Sequence, residues 1–221
     1  TKPITIDDMA ANLQMSASNL HTLFRRHLDT SPMRYLLAQR VTEADFPLAP
    51  DSFAQVGCFD LQDGDRFHVI DGTRAWNWQM GSQLQWLDGR PGRQVIYNQR
   101  TGDPTLRYPG FGAVICDVDN DRRTPLPLPV YVVAPDSRFA LCVDYRRLWV
   151  THETIGYPEE GGPFGLPLCP DDDGIHWMDL ATGRTELVAS YRRLRETRPL
   201  PSMEKAIHWV SHIEVNPASS R

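Results

Sequence analysis

The four cysteines, at 58, 116, 142 and 169, form no C-x-x-C pair. A chain of 221 residues can bury roughly 70% of its unfolded surface without covalent staples, so reduced thiols are expected rather than a disulfide framework or a zinc cluster. No run approaches the ~20 apolar residues that a membrane span requires. The first residues also lack the basic-then-apolar order of a secretory signal, so the expectation is a cytoplasmic protein with no membrane partner. From Ile6 to Val41 there is no glycine and no proline except Pro32, which excludes a turn-rich β structure for that stretch. What is present fits a folded globular chain: 41% hydrophobic residues, and six tryptophans that need a core.

The formal net charge of −5 is unevenly spread. Residues 1–40 hold Lys2, Arg25, Arg26, Arg34 and Arg40 against Asp7, Asp8 and Asp29, a balance of +2 that leaves −7 for the remainder. A small basic segment on a larger acidic one is the arrangement in which only the first would meet a polyanion. The hydrophobic period divides the chain at the same place. Ile6, Met9, Ala10 and Leu13, then Leu20, Leu23 and Phe24, then Met33, Leu36, Leu37 and Val41 fall at helical spacing. Beyond Phe46 come short runs of Val, Ile, Tyr, Trp and Phe, punctuated by Asp-Gly, Pro-Gly and Thr-Gly, which predict strands.

Three helices are predicted in the first part. Thr5 caps one from Ile6 to Leu13, Ser16 caps a second from Ala17 to about Leu28, and Ser31 with Pro32 opens a third. Only Gln14-Met15-Ser16 separates the first two, a turn short enough to make them cross steeply as a helix-turn-helix. The stretch 6–40, with Met15, Ser16, Leu20, Phe24, Arg25, Arg26, Ser31, Pro32, Tyr35, Leu36 and Arg40 in place, resembles a helix-turn-helix unit of the AraC/XylS transcription regulators. It departs from that pattern at Asp29, where the family usually has glycine. These regulators also carry two such units, of which only one is present here.

The second part resembles something different. WNWQMGSQLQWL at 76–87, VIYNQR at 95–100, residues 127–148 and residues 172–188 look like blades of a TolB-like β-propeller related to oligogalacturonate lyases, with a strand–turn–strand pattern at Ala134-Pro135-Asp136-Ser137. The implied fold class is α+β and multidomain: a three-helix unit at 1–45, a linker at 46–52, and mainly antiparallel β at 53–221 as about three to four blades. Propellers need at least four blades, so this would be an open, incomplete ring or a truncated product, prone to self-association through its edges at Val56–Asp60 and His212–Val215.

With Leu20, Leu23 and Phe24 buried, the residues expected to reach base edges or phosphates of duplex DNA are Ser18, His21, Thr22, Arg25, Arg26 and, at the next helix start, Ser31. Short polar residues on a helix are otherwise simply solvated. The propeller resemblance places His212 where one ligand of a divalent metal would sit, although partner histidines before the earlier turn are missing and no cofactor is expected. Asp171-Asp172-Asp173 and Glu159-Glu160 stand beside glycine and proline and read as solvated loop tips. Asp179 with Thr182-Gly183 reads as a hairpin turn, and Trp76, Trp78 and Trp86 read as core rather than sugar platforms. The functional expectation is a DNA-binding transcription regulator whose β part is a sensor or its remnant, answering to a sugar or oligosaccharide. Its rival is a truncated carbohydrate-active or sugar-binding propeller of the lyase type, and catalysis is not expected.

Overall fold

A computed structural model describes residues 15, 16, 18, 19, 22, 39–41, 48–60, 64, 66–159 and 165–218. The chain divides into two compact units, Thr1–Arg40 with Gln55–Gly72, and Val41–Ala54 with Thr73–Arg221. The three predicted amino-terminal helices fall almost wholly outside the described residues; Ser18, Asn19 and Thr22 are helical. The strands β1 (Gln39–Val41), β2 (Ala54–Asp60) and β3 (Arg66–Thr73) form a three-stranded sheet in the order β1-β2-β3. Within the first unit Gly57 is required by close approach: a Cβ there would lie 2.4 Å from the His68 carbonyl and 2.5 Å from the Phe67 ring, which itself tilts against Phe59.

The second unit is antiparallel β, as its composition predicts. One four-stranded sheet runs β4 (Gln85–Trp86), β5 (Gln94–Arg100), β6 (Phe111–Asp117) and β7 (Arg122–Leu126) in chain order, and a second runs β8 (Val130–Val133), β9 (Phe139–Cys142), β10 (Gly174–Asp179) and β11 (Thr185–Ser190) likewise. Central strand β6, FGAVICD, is buried at nearly every position, which is why it reads as a continuous apolar run. In β10 burial alternates instead: Gly174, His176 and Met178 face inward, while Trp177 lies outward beside Phe139. The two sheets share one core, with Ile96, Ala113, Ile115 and Leu126 from the first meeting Val130, Ala140, Cys142 and Met178 from the second. Buried Asn98 ties them together: its amide nitrogen donates to the Val130 carbonyl and the Tyr157 hydroxyl at 2.8 Å each, and its oxygen accepts from Val130 N–H at 2.7 Å. All four cysteines are unbridged thiols.

Two turns form as their sequences predict. Ala134 to Ser137 closes the β8–β9 hairpin with Ala134 N–H on Phe139 O and Ser137 N–H on Ala134 O. Asp179 closes β10–β11 by accepting from the N–H groups of Ala181 and Thr182 and from the Thr182 hydroxyl, while Gly183 takes a φ of 72°. Other expectations are corrected. Residues 145–148, read from sequence as the end of a blade strand, begin a helix, α1 (Tyr145–Thr151), because Asp144 turns its carboxylate onto Arg146 N–H as an N-cap and arginine and leucine propagate the turn. A second helix, α2 (Tyr191–Thr197), comes directly after β11 under a Ser190 cap. The edge strand expected at His212–Val215 is absent: residues 207–216 form no strand.

Candidate functional site

Of the six residues expected to contact DNA, the structure describes two. Ser16 accepts a hydrogen bond from Asn19 N–H at 3.2 Å, the N-cap geometry its position predicts, and so fixes where that helix begins. Ser18 and Thr22 come next on the helix, both exposed and one turn apart, with the Thr22 hydroxyl donating to the Ser18 carbonyl at 2.9 Å. That bond commits the hydroxyl proton and leaves the Thr22 methyl and its oxygen lone pairs as the groups a base edge would meet. His21, Arg25, Arg26 and Ser31 lie outside the described residues.

His212 is exposed and sits at a φ of 55°, held by its own N–H donating to the Tyr131 hydroxyl at 2.7 Å and by a 2.8 Å bond between its Nδ1 and Ser211 Oγ. Among the described residues, no three His, Cys, Asp or Glu side chains stand together as a metal ligand set. Trp76 is core, as expected, and donates its indole N–H to Ser52 O. Trp78 packs edge-on against it but is 43% exposed, so the reading of it as core is corrected.

The second unit holds a polar cluster that sequence reasoning missed. Asp171 and Asp172 are the exposed loop residues they were expected to be, but Asp173 is not. Its Oδ1 accepts from the Tyr108 hydroxyl at 2.7 Å and from Gly174 N–H at 2.8 Å, and Arg147 Nε stands 3.7 Å from Oδ2. Burial alone would raise the Asp173 pKa, but the hydrogen bonds from Tyr108 and the Gly174 N–H and the Arg147 charge outweigh it and hold the carboxyl below its usual range. Burial, reinforced by that same carboxylate, pushes the phenols of Tyr108 and Tyr191 well above theirs. Arg147 is 1% exposed; its Nη1 donates to the carbonyls of Pro167 and His208 at 3.0 and 3.2 Å, and its guanidinium lies 4.7 Å from the Tyr191 ring centre. Buried His176 accepts at Nε2 from Arg107 Nε at 3.2 Å, which places its proton on Nδ1; at 3.7 Å from Asp173, the same nitrogen makes no hydrogen bond there. Glu159, also read as a loop tip, is half-buried and 3.6 Å from Arg146. The cluster works as a clamp: one ionised carboxylate and one buried guanidinium join the start of β10, α1, the first turn of α2 and the segments at Pro167 and His208.

The two helices at the cluster carry an internal duplication. Tyr-Arg-Arg-Leu occurs at 145–148 and again at 191–194, each time after a hairpin and a capping Asp or Ser, and each helix ends with a threonine hydroxyl on the carbonyl of that motif's second arginine. Elsewhere in this unit a cleft of about 150 Å³ opens between Arg90, Gln94, Arg122 and Thr124 over Ile115 and Leu180. Arg90 donates there to Ser137 O at 3.1 Å, and partial burial lowers its pKa against the opposing pull of Asp179.

Among known protein families, the bacterial regulatory helix-turn-helix proteins of the AraC family match residues 1–37. No curated protein and no solved structure matches the chain. Among the described residues, no helix is long and apolar enough to cross a membrane. The amino-terminal segment is thus similar to an AraC-type helix-turn-helix, a unit that implies DNA binding and transcription regulation.

Proposed function

We propose that this protein is a transcription regulator that reads duplex DNA through its amino-terminal segment and carries, beyond a linker at 46–52, a β domain that senses a small molecule. The observation that carries the reading is the AraC-family match over residues 1–37, in which Ser16 caps a helix and Ser18 and Thr22 stand exposed on it. In this reading Ser18, His21 and Thr22 meet base edges in the major groove, and Arg25, Arg26 and Ser31 hold phosphates. Two consecutive four-stranded antiparallel meanders support a blade-like, TolB-type origin for the β domain. The polar cleft lined by Arg90, Asp117 and Arg122 is the place in the β domain at which a small effector would be sought. His212 as a metal ligand remains a proposal that would need partner groups from outside the described residues.

The test is selection of duplexes from a random pool by the full chain, then salt titration on the best sequence. Arg25→Ala is expected to weaken binding to all sequences and flatten the salt dependence by about one phosphate contact, a slope change of ~0.9. Thr22→Ala and His21→Ala are expected to change which bases are preferred. A pool that returns no enriched sequence at any salt concentration overturns the reading.

A further inference from the structure

The cleft over Ile115 and Leu180 is bordered by two cations that no carboxylate grips. Its volume is about 150 Å³, and it brings Arg90, from the loop between β4 and β5, together with Arg122 and Thr124 of β7. Other arginines nearby in sequence are paired: Arg93 holds Asp119, Arg123 holds Asp121 and Arg138 holds Asp136. Among the described residues, Arg90 and Arg122 have no carboxylate within ion-pair distance. The acids closest to them are committed elsewhere. Asp117 lines the same cleft and stands opposite Arg122 in the β6–β7 register, but its oxygens accept from the N–H groups of Asp119 and Asn120 and from the Asn120 amide. Asp179, which attracts Arg90 from a longer range, is the acceptor of its own hairpin turn. Arg90 is the more telling cation. Its Nε donates to the Ser137 carbonyl at 3.1 Å, which ties the side chain to the β8–β9 turn and leaves its Nη nitrogens without a hydrogen bond among the described residues. Half-buried, it is only partly solvated, and that loss of water works against its charged form. An exposed arginine is satisfied by water, whereas a half-buried one with free donors is best satisfied by an anion entering the cleft.

We propose that this cleft binds a small molecule through one oxyanion group, a carboxylate or a phosphate, shared by Arg90 and Arg122, with the rest of the molecule over Ile115 and Leu180. The guanidinium fork matches the oxygens of either group, and a concave site with a few convergent polar side chains over an apolar floor is the usual form of a small-ligand site. The volume limits the ligand: a cavity of this size takes a molecule of about six non-hydrogen atoms, as benzene has. The inference names the ligand class for the sensing role proposed above, and rests on that reading for its consequence at DNA.

The experiment uses the full chain at fixed ionic strength. It is titrated with butyrate, with inorganic phosphate and with neutral butyramide, followed by calorimetry and by the methyl resonances of Ile115 and Leu180. At least one anion is expected to saturate the protein below ~10 mM and to shift both methyls, and butyramide to do neither. Butyrate alone assigns the site to carboxylic acids, and phosphate alone assigns it to phosphate esters. Arg90→Gln and Arg122→Gln are each expected to lower the affinity about tenfold, and Arg122→Lys to recover part of the loss. Arg193→Gln, which removes an exposed arginine outside the cleft, is expected to leave it unchanged. Arg122 is exposed on its strand, so its variants are expected to melt at the wild-type midpoint without ligand. Butyramide binding as tightly as butyrate, anion binding that survives both glutamine variants, or no saturable binding of either anion overturns the inference. In the last case, a duplex still selected from the random pool leaves the amino-terminal reading standing. An anion that binds in the cleft without changing affinity for that duplex upholds the site and overturns the sensing role.

Discussion

The helices α1 and α2 begin with the same four residues and differ in almost everything those residues touch. Leu148 is 0% exposed in α1, packed among Val143, Tyr145, Ile155 and Tyr157; Leu194 in α2 is 38% exposed. Arg147 is sealed beneath Tyr191 and faces a carboxylate, whereas the Arg193 side chain is exposed and its commitments are those of its backbone, the N–H to Ser190 and the carbonyl to Thr197. The first tyrosine alone is treated alike, buried in both. A local motif therefore sets helix start and phase, whereas burial is set by the chain downstream of it: α1 is covered by Tyr157, Asp173 and Tyr191, all later in sequence. The same arginine is a structural clamp in one copy and a surface charge in the other.

The sharpest way to break this comparison is to remove the two arginines separately. Arg147→Ala leaves Asp173 buried without its cation and the carbonyls of Pro167 and His208 without their donor, and is expected to cost about 3–5 kcal/mol. Arg193→Ala, at an exposed position, is expected to stay within about 0.5 kcal/mol. Urea unfolding of both variants measures the difference. Equal losses would show that α2 is covered as α1 is.

A smaller effect is expected from acid. The Asp173 carboxyl is held below its ordinary pKa in the folded protein, so its contribution is complete above the unfolded value of about 4 and is lost as pH falls through the lower folded value. Melting midpoints measured from pH 7 downward are expected to fall more steeply below pH 4 in wild type than in Asp173→Asn, which starts lower and stays flatter. An identical acid limb in the two proteins would remove Asp173 from the clamp.

How much of this molecule is legible in the sequence depends on how local each signal is. The Ser16 cap, the Ala134–Ser137 and Asp179–Gly183 turns and the antiparallel character of 85–190 rest on neighbours within a few residues, and all are legible. Trp76 is buried as its aromatic-rich stretch suggests, whereas Trp78, equally large and apolar, is 43% exposed, so residue type alone does not decide between them. Asp173 is not, since its environment is made by Tyr108 and Arg147, 65 and 26 residues away, and an acidic run beside proline gives no hint of them. The α1 helix reads as strand because Val-Asp-Tyr continues the β-rich composition of β9, and only the Asp144 cap redirects the chain. His176 falls at an inward position of an alternating strand, a pattern visible in the sequence but silent about its Arg107 partner.

The smallest effect concerns the caps. Ser190 closes α2 through a single bond, its Oγ accepting from Arg193 N–H at 3.1 Å. Asp144 caps α1 and in addition holds Arg146 with both carboxylate oxygens while itself buried. Ser190→Ala is expected to cost about 1 kcal/mol and Ser190→Gly only a few tenths, because glycine tolerates the cap backbone and lets water reach the freed N–H. Because the end of α2 carries little buried surface, the loss is expected to appear locally, as faster amide exchange over Leu194–Thr197, with little change in the global melting midpoint. Asp144→Ala, by contrast, is expected to lower the midpoint of the whole unit, since it removes the buried carboxylate that both caps α1 and holds Arg146, leaving that arginine only Glu159 at 3.6 Å. If Ser190→Ala moved the global midpoint as far as Asp144→Ala, α2 would be a cooperative part of the core rather than a helix that opens locally.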